Sequence, residues 1–70
     1  MLPLSLAQKG EENIIKRVGG TQEAKKHLED LGFVVGGEVT VINSLGGNVI
    51  VNVKDTRVAI SEEMARKIMV

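Results

Sequence analysis

The sequence predicts a small, mostly-β barrel with two short helices, its elements in the order β-α-β-β-β-α. Three observations predict it. Of the 16 Val and Ile residues, 14 lie within 14 to 18, 34 to 42 and 49 to 60, and β-branched side chains suit a pleated surface. Three glycine pairs, Gly19-Gly20, Gly36-Gly37 and Gly46-Gly47, stand where one hydrophobic periodicity gives way to another. Finally, 43% of the 70 residues are hydrophobic, yet Phe33 is the single aromatic and cysteine is absent. No disulfide can form, and His27 is the only Cys or His available to a zinc ribbon. An aliphatic core must therefore suffice, and closing the sheet would remove the edges that short Val-rich strands expose.

The elements follow in chain order. Leu2, Leu4 and Leu6 precede the first strand and are expected to close one end of the barrel. That strand spans roughly Glu12 to Val18, and the adjacent Ile14 and Ile15 call for a bulge to reconcile their faces. In the helix that follows, Ala24, Leu28 and Leu31 fall at i, i+4 and i+7, one stripe of its surface. Thr21 serves as N-cap, and Glu23 sits in the first turn near the positive end of the helix dipole. Gly32 at C′ and Phe33 at C″ predict a Schellman stop, with Phe33 packed on Leu28. Val39 and Val41 then face one way with Thr40 opposite. In the next strand Val49, Val51 and Val53 oppose Asn48, Ile50 and Asn52. Asn43-Ser44-Leu45-Gly46-Gly47 reads as a five-residue hairpin loop, and Asp55-Thr56 turns the chain into Arg57-Val58-Ala59-Ile60. Ser61 caps a final short helix with Glu62 and Glu63 first and Arg66 and Lys67 last, and Met69-Val70 can add a last pairing. Residues 1–70 form one domain, a small SH3-like barrel; an open antiparallel sheet crossed by one helix is the competing architecture.

Composition excludes several functions. Nine Lys and Arg balance nine Asp and Glu, so the basic excess that drives nucleic-acid binding through counterion release is missing. Phe33 alone cannot supply the stacking platforms of a single-strand binder. No apolar stretch approaches the ~18 residues of a membrane span, and Met1-Leu2-Pro3-Leu4 lacks a signal peptide's basic region, so a cytoplasmic protein without membrane insertion is expected. For catalysis, His27 is the only neutral-pH base, and it sits in a helix among Lys25, Lys26 and Glu29 with no nucleophile beside it. The acidic neighbours Glu11-Glu12, Glu29-Asp30 and Glu62-Glu63 point in different directions and read as solvated faces, so no enzyme is expected. Gly19-Gly20-Thr21 opens a helix but lacks the lysine of a phosphate cradle. Glu23, His27 and Asp30 share one helix edge at i, i+4 and i+7, a weak metal-ligand candidate whose plainer reading is a solvated edge with a Glu23–His27 pair. Leu45 is the remaining clue, an apolar residue in a Gly-rich hairpin where burial is hard to arrange, and it marks a candidate protein contact.

The segment Leu28-Glu-Asp-Leu-Gly-Phe-Val-Val-Gly36 resembles the L-x-x-L-G-hydrophobic-x-x-G pattern of the ferrous iron transport protein A family, FeoA. The likeness extends to Leu4-Ser-Leu-Ala-Gln-Lys-Gly10, to Ile15-Lys-Arg-Val-Gly-Gly20, and to Ile60, Ala65, Ile68 and Val70, essentially the whole chain. The resemblance implies an SH3-like barrel acting in the cytoplasm as a non-catalytic adaptor of FeoB, a membrane ferrous iron transporter with a GTPase domain. It implies no required cofactor; ferrous iron enters only through the pathway. The Asn43–Gly47 loop departs from the family, where it is often longer or carries proline. Phe33, Val35 and Leu45 are the expected apolar contacts with that partner, while Arg17 or Arg57 could complete its GTPase site by stabilising charge on the transferring phosphate. Two rivals are a metalloregulator-type SH3-like domain, as in iron-dependent repressors, and a small-barrel nucleic-acid-binding module.

Overall fold

A computed structural model describes residues 1–70. After a 3-10 turn at Leu4–Leu6, the chain forms β1 (Glu12–Ile14), β2 (Arg17–Val18), α1 (Gln22–Asp30), β3 (Glu38–Leu45), β4 (Asn48–Val53), β5 (Thr56–Ser61), α2 (Glu62–Ala65) and β6 (Ile68–Met69). Strands β1-β3-β4-β5 make an antiparallel sheet, and β2 pairs with β6 in a separate two-stranded ribbon. The ribbon continues to the ends of the chain, where Leu2 and Val70 exchange backbone hydrogen bonds of 2.9 and 2.8 Å.

The expected first strand is two. Its halves meet at Ile14-Ile15, the position expected to bulge, and the chain there passes from one sheet to the other. Ile14 stays on β1 opposite Glu38 and is exposed, whereas Ile15 is fully buried. Lys16 N–H already donates to the Met69 carbonyl at 2.8 Å. Hydrogen bonding consequently does not close the strands into the single barrel expected from the sequence. Closure needs strands long enough to tilt and shear around a common axis, and β1, β2 and β6 are only two or three residues long. Side chains fill the gap instead. The core is 14 apolar residues drawn from every part of the chain, including Leu4, Ile15, Leu28, Phe33, Val51, Ile68 and Val70, and no polar or charged residue is buried with them.

Local signals are realised closely at the helix ends. Thr21 Oγ1 accepts from the Ala24 N–H at 3.1 Å. At the other end Phe33 N–H reaches the Leu28 carbonyl at 2.9 Å and Gly32 N–H the Glu29 carbonyl at 2.9 Å, the paired bonds of a Schellman motif. That motif needs a left-handed residue at C′, and Gly32 has φ +109°. Ser61 Oγ likewise accepts from Met64 N–H at 3.1 Å to start α2.

The hairpins are tighter than expected. Leu45 pairs with Asn48, so the β3–β4 connection is two residues, not five; Gly46 and Gly47 both take positive φ, the requirement of a type I′ turn that matches strand twist. Thr56 pairs with Val53, so the β4–β5 turn is Lys54-Asp55, also at positive φ, rather than Asp55-Thr56.

Candidate functional site

Alternation fixes which side chains the four-stranded sheet shows to solvent. Val39 and Val41 face the core opposite Val53 and Val51, so an unbroken β3 would also turn residue 45 inward. The register shifts between Val41 and Asn43, because Ile42 is an extra residue with no partner on β4. One added residue reverses the parity of everything beyond it. Leu45 thereby comes to the outer face opposite Asn48 and is 58% exposed. Ile50 lies diagonal to it on β4, opposite Asn43, and Ile50 in turn opposes the exposed Ala59 on β5. The bulge thus creates a small apolar patch, Leu45, Ile50 and Ala59, at the hairpin end of the outer face.

The opposite end of that face is polar. Glu12, Glu38, Thr40, Asn52, Lys54 and Asp55 line an open hollow of about 370 Å³. Three carboxylates against one ammonium give it a negative balance. A second shallow groove of about 280 Å³ runs between α1 and α2, lined by Thr21, Glu23, Ala24, His27 and Met64.

The residues singled out from sequence are scattered. Phe33 is fully buried and offers no surface to a partner. Val35 is 67% exposed but lies in the loop before β3, beside Gly36, whose N–H bonds the Ile15 carbonyl at 2.8 Å. From there to Leu45 is the length of an eight-residue strand, roughly 20 Å. Val35 and Leu45 accordingly belong to different patches, with the exposed Ile14 nearer the former. Arg17 sits on the two-stranded ribbon opposite Met69, and Arg57 on β5 opposite Asn52; both are exposed, and neither is in an ion pair. Glu23 and His27 share the α1–α2 groove without Asp30, and no three His, Asp or Glu side chains are grouped closely enough to hold a metal ion. Ile50 and Ala59 escape a sequence reading because their link to Leu45 depends on the bulge. The signal present was the phase break after Val39 and Val41, where position 43 is Asn instead of an apolar residue.

A split antiparallel sheet and ribbon packed around one aliphatic core define a small domain of the SH3-like class. The FeoA domain family model matches residues 2–70, and the chain belongs to that family. It is 37% identical over 70 residues to the "Putative Fe(2+) transport protein A" of Methanocaldococcus jannaschii, a match covering 100% of this chain and 85% of that protein. The crystal structure of an iron uptake regulatory protein, FeoA, superposes with a TM-score of 0.89 at 29% identity over 97% of this chain and 90% of that one. FeoA of Stenotrophomonas maltophilia, solved with zinc and described as a procaryotic SH3 domain protein, gives a TM-score of 0.83 at 25% identity over 99% and 88%.

Proposed function

We propose that this chain is a non-catalytic accessory protein of ferrous iron uptake, working in the cytoplasm by binding and modulating a FeoB-like membrane GTPase transporter. Membership of the FeoA family supports the pathway. The observation that supports a binding role is Leu45, held out of the core by a bulge and grouped with Ile50 and Ala59 on an otherwise solvated sheet face. Apolar side chains grouped in this way on an exposed sheet face are what a protein partner can cover. Ferrous iron enters as the transporter's cargo. The Stenotrophomonas maltophilia relative is described as a candidate ferrous iron transport activating factor, which agrees with this reading.

Capture of the transporter's cytoplasmic domain by immobilised wild-type chain tests it. Leu45→Glu places a charge in the patch and should abolish capture while leaving the fold intact, since Leu45 has no core contact to lose. Val35→Glu, in the separate patch, should bind like wild type. Full capture by Leu45→Glu would remove the proposed surface, and no capture by wild type would remove the partner. GTP turnover by the same domain, measured with and without the chain, reads modulation; Arg17→Ala and Arg57→Ala show whether either arginine contributes.

A further inference from the structure

The four-stranded sheet has two edges of unequal character. β1 is three residues long and carries Glu12, a blunted edge. β5 is six residues, Thr56–Ser61, pairs only with β4, and carries one charge, Arg57. The closing pair of the Lys54-Asp55 turn, Val53 and Thr56, exchanges both backbone bonds, so by alternation Val58 and Ile60 also bond inward to β4. Arg57 and Ala59 then point their N–H and carbonyl groups away from the sheet, and no backbone bond outside the β4 ladder involves either residue. Ala59 is exposed, so its small side chain leaves that edge open.

We infer that β5 pairs with β5 of a second copy of this chain, antiparallel about a two-fold axis at Ala59, joining the two sheets edge to edge. Charge selects this occupant and this register. The cation Arg57 lies near the start of β5, and Glu62, paired with Arg66 at 3.0 Å, and Glu63, which is in no ion pair, follow its end, so antiparallel pairing brings Arg57 of one copy toward the free carboxylate of the other. With Ala59 opposite Ala59, Arg57 faces Ser61 of the second copy within two residues of both glutamates. Val58 and Ile60 also come opposite each other. Parallel in-register pairing would stack Arg57 on Arg57, and so would sliding the antiparallel axis to that residue. The net charge of zero leaves no long-range repulsion between copies. A two-fold contact closes on itself, and the short acidic β1 edge does not offer a second site for growth.

Mass measured by light scattering against concentration, on the full chain, tests the pairing. The wild type should rise from 7.5 kDa toward twice that value as concentration reaches the millimolar range. Ala59→Lys and Ala59→Glu each set like charges face to face across the axis and should stay at the monomer mass. Mixing the two variants in equal amounts should restore the dimer, and circular dichroism should show both variants folded. A wild type monomeric at millimolar concentration overturns the inference and leaves the edge for a strand of another protein. Variants that dimerise as the wild type does, or a mixture that stays monomeric, overturn the register.

Discussion

Replacing Phe33 with alanine removes the one aromatic ring of the protein from a site with no solvent exposure. The backbone N–H that completes the Schellman motif survives the substitution, so the measured loss reports packing rather than capping. Buried Phe→Ala changes cost about 3 to 5 kcal/mol, the transfer of the ring plus the cavity it leaves. A domain of this size has roughly 3.5 to 10 kcal/mol in total. The variant should therefore lose from about a third of its stability to all of it, a fall in Tm of more than about 10 °C where it still folds. Phe33→Leu, which keeps most of the volume, should cost less than about 1.5 kcal/mol. Without Trp or Tyr the chain has no convenient intrinsic fluorescence, so urea unfolding followed by far-ultraviolet circular dichroism is the appropriate assay. A loss below about 1 kcal/mol for Phe33→Ala with an unchanged m value would contradict the placement of this ring at the centre of the core. A large loss would also separate Phe33, whose substitution weakens any binding through the fold, from Leu45, whose substitution acts on binding alone.

Two further outcomes follow from single positions. A Cβ on Gly32 would meet nothing closer than Lys54 Cδ at 3.5 Å, so Gly32→Ala is charged only with its φ of +109° and should destabilise by about 1 to 2 kcal/mol; no shift in the urea midpoint would deny the left-handed stop. Ser61→Ala deletes the acceptor for Met64 N–H and should cost about 1 kcal/mol in thermal unfolding, whereas Glu62→Gln, which breaks the exposed 3.0 Å pair with Arg66, should cost under about 0.5 kcal/mol; equal losses would refute the assignment of Ser61 as the cap.

The parts of the fold legible in the sequence are those decided within a few residues. Thr21, Gly32 and Phe33 announce the ends of α1 because a cap is a local event, and the Val alternation of β4 gives its faces directly. Long-range pairing decides the rest. Ile14 and Ile15 signal a disturbance, but only the competition between β3 and β6 for partners turns it into a change of sheet. Gly46-Gly47 marks a turn, yet whether Asn43, Ser44 and Leu45 belong to the loop or to β3 depends on the unpaired Ile42. The candidate site inherits that dependence. Leu45 stands out as a lone apolar residue in a polar context, while its grouping with Ile50 and Ala59, and its separation from Val35, come from register alone.

The pairing of the chain's two ends bears on the order in which the protein assembles. β3, β4 and β5 are linked by two-residue turns, so their ladders close at little entropic cost. β2–β6 and the Leu2–Val70 bonds join segments roughly fifty or more residues apart and need the long loop between them to be fixed first. Loop-closure entropy alone therefore predicts that the meander folds first and that the terminal ribbon shuts late and opens first. Its amides, Lys16, Gly19 and Val70, should exchange with solvent ahead of those of Val51 and Val58, leaving Leu45 and its hairpin standing on the part of the molecule that holds longest.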